Sequence, residues 1–169
     1  MSQEPAPPAS SAAVRIRMQR VRRRDTGPEL RLRSALHRLG LRYRVDAKVP
    51  ELPRHRIDVL FRRARVAVFV DGCFWHLCPE HGSVPKANAG WWTRKLAGVR
   101  ARDARTDAIL TQAGWEVVRV WEHEEPDVAA ARIAAVVTDR LGTQPRRCSG
   151  RSSSAVRENE ESPANAGLS

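Results

Sequence analysis

The sequence predicts an α/β fold, a small mixed β-sheet flanked by helices, and three observations carry that expectation. Helical and alternating hydrophobic periods follow one another in the order helix, three strands, helix, strand, helix. The apolar, β-branched run Val66–Val70 has the composition of a strand buried on both faces. A long helical stretch separates the third strand from the fourth, which is the crossover that two parallel neighbours require.

Residues 1–13 are rich in Pro, Ala and Ser without periodicity and are expected to be a disordered leader. From Val14 to Arg24 there are six arginines and no acid, a basic arm able to form a short helix. Met18 lies on its apolar side, and two readings of it stand: an apolar wedge entering DNA, or a side chain packed on the body. Thr26-Gly27-Pro28-Glu29 has the form of a capping box, with Glu29 reaching back to the Thr26 amide. The helix so started carries Leu32, Leu36 and Leu39 inward and is capped by Gly40. A half-exposed strand is expected from Leu41 to Val49, with Leu41, Tyr43 and Val45 on one side. His55–Phe61 is the second strand, with Ile57, Val59 and Phe61 on one face and Asp58 on the other.

After the central strand, Asn88 can cap a long helix that buries Trp92, Leu96, Val99, Ile109 and Leu110. Trp115–Trp121 reads as the last strand and delivers Glu122 and His123 at its end. Pro126–Leu141 is a final helix with Val128, Ile133, Val136 and Val137 inward and Gly142 at its stop. Beyond Thr143 the residues lack pattern, so 143–169 is expected to be a disordered tail. What remains is one domain, about 120 to 130 residues, enough for a single core.

A formal charge of +11 points to a polyanionic partner, nucleic acid first, because basic groups gain by releasing counterions condensed on phosphate. All but three of the 30 basic residues are arginine, which a GC-rich genome would also produce; the acid-free arm favours the nucleic-acid reading. Three cysteines, two of them close together, make a poor disulfide framework and suit a reducing cytosol. No apolar run approaches the roughly 20 residues of a membrane span, and the start is unlike a signal peptide. A soluble, cytoplasmic protein is expected.

The stretch after the central strand, Asp71-Gly72-Cys73-Phe74-Trp75-His76-Leu77-Cys78-Pro79-Glu80-His81, is where the chemistry concentrates. Cys73, Cys78 and His81 lie within nine residues, and a parallel sheet can bring His123 beside them. Two thiolates and two imidazoles make a closed tetrahedral set, suited to a structural zinc ion. The bland alternative is a buried cysteine with surface histidines. His76 is not needed for that set and is either a spare ligand or a general base. Asp58, in mid-strand, is costly unless paired or metal-bound, and it is the first choice for a Mg2+ ligand in phosphodiester hydrolysis. His76 could then take the proton from water, its ordinary pKa being near neutrality.

These residues carry a resemblance. Arg24-Asp25-Thr26 with Glu29, Arg56-Ile57-Asp58, Asp71 through His76, Trp92 with Lys95, Arg102-Asp103, and Gly114-Trp115 through Val120-Trp121-Glu122 resemble the very short patch repair endonuclease family, in order, from about Arg17 to His123. The Gly-Cys-Phe-Trp-His block is the most specific part.

The resemblance implies a DNA mismatch endonuclease of the restriction-endonuclease-like fold, with a structural zinc site, in a domain spanning 14–142. Such an enzyme nicks double-stranded DNA 5′ of the mispaired T in T:G mismatches that arise by deamination of 5-methylcytosine. It implies a monomer acting at the nucleoid of a bacterial cytoplasm, functionally linked to a cytosine-5 DNA methyltransferase. Asp58 matches a Mg2+ ligand and His76 the general base, while Glu29 and Asp103 match residues around the metals and their waters. Phe74, Trp75 and Trp92 match an aromatic wedge beside the mismatch, and Met18 a residue inserted from the opposite groove. Lys95 and the arm residues Arg15, Arg17 and Arg20 are expected on DNA. Asp71 stands where some relatives have His, and two carboxylates as close as Asp71 and Asp103 require a shared cation or proton. Cys78, His81 and His123 take the places of zinc ligands whose identity varies in the family. Two rivals are a nicking nuclease without mismatch preference and an inert zinc module that binds DNA.

Overall fold

The computed structural model describes residues 6–8, 11–13, 15–16 and 24–143. Helix α1 spans Gly27–Arg38, β1 Arg44–Ala47, β2 Ile57–Phe61, β3 Val66–Asp71, α2 Ala89–Gln112, β4 Glu116–Trp121 and α3 Pro126–Thr143. Most of the expected leader and arm, and the tail from residue 144, lie outside the described residues.

The sheet runs β1-β2-β3-β4, with the first two pairings antiparallel and the last parallel. Helix α2 is the crossover between β3 and β4. One face of the sheet carries Val59, Phe61, Val66, Val68, Val118 and Val120 against Leu32 and Leu36 of α1 and Ile133 and Val137 of α3. The other carries Leu60 and Ala67 against Leu110 of α2, Trp115, and the loop residues Val49 and Leu52. Both faces of β3 are therefore covered, as its unbroken apolar run requires.

Several local expectations are corrected. Thr26 caps α1 without bonding a backbone N–H: its hydroxyl donates to Glu29 Oε1 at 2.9 Å. Glu29 Oε2 accepts from the Asp25 amide at 3.1 Å, not from Thr26, because Arg33 one turn on draws that oxygen to 2.8 Å. Leu39 is exposed, and Ala35 fills the buried stripe in its place. Val45 is exposed too, since β1 is short and Asp46, in the left-handed region at φ 51°, breaks its alternation. Ile57 packs with Leu60 rather than with Val59 and Phe61, at the end of β2 where pairing with β3 has stopped.

Asn88 precedes α2 in the left-handed region and makes no side-chain cap. Val128 is 67% exposed on the outer side of α3. Helix α2 stops at Gly114, whose φ of +82° only glycine adopts freely, and the Trp115 amide then donates to the Leu110 carbonyl at 2.9 Å. That turn aims the chain into β4.

Candidate functional site

β3 and β4 run parallel, so their C-terminal ends open side by side, Asp71 opposite Trp121. The loops leaving these ends carry the cluster residues 72–81 and Glu122-His123. The Glu122 amide donates to the Asp71 carbonyl at 2.9 Å, and Glu122 Oε1 accepts from the Cys73 amide at 2.7 Å, so the two exits are stitched together.

One group forms there from sulfur and nitrogen donors. Ligand atoms of Cys73, Cys78, His81 and His123 all lie within 4.8 Å of one another. Cys73 Sγ is 3.1 Å from His123 Nδ1, Cys78 Sγ 3.7 Å from the same nitrogen and 4.0 Å from His81 Nδ1. These spacings are those of donors around a common centre about 2 Å from each. Both thiols are buried, and burial together with the adjacent Cys78 thiol raises the pKa of Cys73. Two buried thiols facing two imidazoles suit a soft or borderline cation, which would reverse that shift. Gly82 closes the knuckle: its amide donates to the Cys78 carbonyl at 2.7 Å, and a Cβ there would lie 2.5 Å from that oxygen.

A second group is built from carboxylates and His76. The pairing of β2 with β3 ends at Val59 and Val68, and in the fork beyond it Asp58 Oδ2 accepts the Val70 amide at 2.8 Å. Burial raises the pKa of Asp58 to about 6; the Val70 hydrogen bond and Arg33 oppose this, and the charges of Glu29 and Asp71 add to it. Glu29 itself is buried and held by Arg33. His76 Nδ1 is 2.7 Å from Asp103 Oδ2 on α2 and 3.5 Å from Asp71 Oδ1. Asp71 is 4% exposed, and Arg119 Nη1 meets its oxygens at 2.9 and 2.8 Å. The cation that the two neighbouring carboxylates require is therefore a guanidinium.

Arg119 was not singled out from the sequence. The signal for it was present, a charged residue inside Val117-Val118-Arg119-Val120, of the same kind that marks Asp58. Asp107 was likewise passed over, although it follows Asp103 by one helical turn, and Glu122 was named at the strand exit without a role.

The aromatic residues form a third feature. Trp75, Phe74 and Trp92 stand edge to face or tilted, with centroids 5.2 to 6.0 Å apart. They differ in exposure: Trp75 is 36% exposed, whereas Trp92 is buried at 8% beneath them and braced by Trp91. Lys95 is exposed on α2 beside Arg94, Arg100, Arg102 and Arg105. Arg15 is exposed, while Arg17, Met18 and Arg20 lie outside the described residues.

A mixed sheet that presents buried carboxylates, a carboxylate-held imidazole and a separate Cys/His group able to hold a metal, on a strongly basic chain, defines a class: an enzyme acting on nucleic acid. Comparison with known proteins sharpens this. The family model described as DNA mismatch endonuclease Vsr matches residues 10–79. The chain is 47% identical over 129 residues to the Type II nicking enzyme V.NaeI of Lentzea aerocolonigenes, covering 75% of this chain and 78% of that one. It is 40% identical over 121 residues to the Type II nicking enzyme V.XorIIP of Xanthomonas oryzae pv. oryzae, covering 69% and 84%. With the DNA mismatch endonuclease Vsr of Escherichia coli it shares 36% over 110 residues, 62% of this chain and 66% of the other. The chain belongs to the Vsr family of DNA mismatch endonucleases. It is a DNA endonuclease, and its mixed sheet with flanking helices is the family's nuclease scaffold. Among the described residues no helix is long and apolar enough to cross a membrane.

Proposed function

We propose that this protein nicks double-stranded DNA 5′ of the mispaired T in T:G mismatches, by Mg2+-dependent hydrolysis of one phosphodiester, and so initiates very short patch repair. The observation that supports it most is His76 held by Asp103 at 2.7 Å and lying 3.5 Å from Asp71, whose charge also acts on Asp58, with Phe74 and Trp75 on the same loop.

Asp58 is the residue that would hold Mg2+, with Glu29 beside it ordering the ion's waters. Mg2+, when bound, supplies positive charge at the scissile phosphate. Asp103 occupies Nδ1 of His76, which leaves Nε2 to take the proton of the attacking water. Asp71, with both oxygens on Arg119, orients His76 rather than holding metal. The Cys/His set would hold zinc, closed to substrate, and pin the loop that carries His76 and Trp75.

Trp75 and Phe74 enter the stack beside the mismatch, where a wobble pair is cheaper to open than a sound one, and Trp92 braces them. Lys95, Arg15, Arg17 and Arg20 meet phosphates, and Met18 enters from the opposite groove. The domain spans 14–142 and works as a monomer in the bacterial cytoplasm. Its natural companion is a cytosine-5 DNA methyltransferase, whose product generates T:G pairs on deamination.

The test is a pair of labelled duplexes in Mg2+, one with a T:G mismatch in varied contexts and its matched T:A twin, with Asp58→Ala beside the wild type. A nick confined to the T strand of the mismatch and lost in the variant supports the reading. Equal nicking of both duplexes selects the second reading, a nicking nuclease without mismatch preference, which the descriptions of V.NaeI and V.XorIIP as nicking enzymes favour. The inert DNA-binding module is set aside, because the relatives are endonucleases.

A further inference from the structure

Arg119 enters the account above only as the partner of Asp71, yet its guanidinium also reaches Asp107 and Asp103. It leaves the face of β4 opposite Phe69 and lies over that ring, 5.1 Å from its centroid. Nη1 reaches both oxygens of Asp71 at 2.9 and 2.8 Å. Nε and Nη2 grip Asp107 in a fork at 3.0 and 2.8 Å, and Nη2 lies 3.5 Å from the Asp103 carbonyl oxygen and 3.9 Å from its Oδ1. A single guanidinium thus joins the end of β3 to one face of α2. Nδ1 of His76 meets both places at once, Asp103 Oδ2 of α2 at 2.7 Å and Asp71 Oδ1 of β3 at 3.5 Å.

We propose that Arg119 is a positioning residue for His76: it clamps Asp71 and Asp107 so that the two carboxylates facing Nδ1 of the imidazole, Asp71 and Asp103, keep a fixed separation. The proposal rests on the reading of His76 as the base. Without the guanidinium, Asp71 is a buried carboxylate lacking its cation, and it repels Asp103 and Asp107 nearby. The helix face then shifts, and His76 with it. A displacement of about 1 Å in a proton acceptor can cost on the order of a hundredfold in rate. Lysine cannot replace Arg119 here, since a point charge has no fork to span two carboxylates.

The experiment compares Arg119→Met, Arg119→Lys and His76→Ala with wild type, on whichever duplex of the T:G and T:A pair the wild type nicks, at saturating DNA and with the folded fraction measured by near-UV circular dichroism. For Arg119→Met we expect the saturating rate to fall about 30-fold or more with KM changed less than about twofold, because His76 acts only in the transition state. Arg119→Lys recovers a minor part of the rate. If Arg119→Met does not fold, Asp71→Asn combined with it removes the unpaired charge, and that folded double variant is at least about tenfold slower than Asp71→Asn alone. A saturating rate within about twofold of wild type in the folded variants, or a loss confined to KM, overturns the proposal while His76→Ala remains inactive. Nicking by His76→Ala at the wild-type rate overturns the base assignment, and this proposal with it.

Discussion

Nδ1 of His76 and Oδ2 of Asp103 stand 2.7 Å apart although 27 residues separate them, one on the loop after β3 and the other on the crossover helix. The bond commits that ring nitrogen to the carboxylate and so decides which edge of the imidazole faces the reaction. If His76 is the base, His76→Ala lowers the single-turnover nicking rate by about 10² to 10⁴. Asp103→Asn, which keeps the shape and loses the charge, costs about tenfold or more. Quenched-flow measurement at saturating DNA checks both, and an Asp103→Asn enzyme of wild-type rate would remove Asp103 from the mechanism.

Asp58 is buried in the fork between β2 and β3 with a pKa of about 6. Because this is above its ordinary value, the folded chain holds its proton longer than the unfolded chain does. Stability in the absence of metal therefore falls as pH rises from about 4 to about 6 and is flat above, by about 3 kcal/mol at most. Asp58→Asn removes that cost. It should raise the metal-free Tm at pH 7.5 by several degrees, leave it unchanged at pH 4, and abolish nicking. Mg2+ affinity should rise with pH through the same range as the ion displaces the proton. Thermal melts of both chains at the two pH values, with calorimetric Mg2+ titrations, provide the check.

The four donors Cys73, Cys78, His81 and His123 predict one tightly held zinc ion per chain, found by metal analysis of native protein. Stripping it, or Cys78→Ser, should lower Tm by about ten degrees or more, because the loop from 72 to 88 contains no helix or strand and has little core of its own. Cobalt substitution gives an independent readout: intense visible bands from a tetrahedral thiolate site that Cys78→Ser would weaken.

Exposure separates the aromatic residues. Trp92, at 8%, should cost about 3 kcal/mol or more of stability on truncation to Ala. Trp75, at 36%, should leave Tm within a few degrees while its loss reduces the preference for mismatched over matched duplex about tenfold. Equal discrimination by Trp75→Ala would take it out of the wedge.

Helix α2 exposes Lys95, Arg100, Arg102 and Arg105 along its length. If these meet phosphates, each Ala replacement lowers the slope of log affinity against log salt by roughly one and weakens all duplexes alike. Fluorescence anisotropy between low and moderate salt measures it, and an unchanged slope would place DNA elsewhere.

Elements and metal donors were legible where one short stretch of chain carries the whole signal. The run Val66–Val70 could only be a covered strand, and Cys73, Cys78 and His81 are close because they are close in sequence. Leu39 and Val128 misled because a hydrophobic residue in the right phase is buried only as far as other elements cover it, and Val45 because Asp46 breaks the alternation of β1. The capping box misled because Arg33, a turn away, competes for the Glu29 carboxylate.

The sequence by itself determined the order of elements, the family, and the residue types at the site, since periodicity and motif spacing are properties of the chain taken in line. Only the tertiary structure decided how the charges are balanced. That Asp71 faces Arg119, 48 residues away, and that Asp103 and Asp107 share the same guanidinium, depends on the parallel register of β3 with β4 and on how α2 crosses them. Electrostatic partners are set by distance in space, and a buried carboxylate takes whatever cation the packing brings to it.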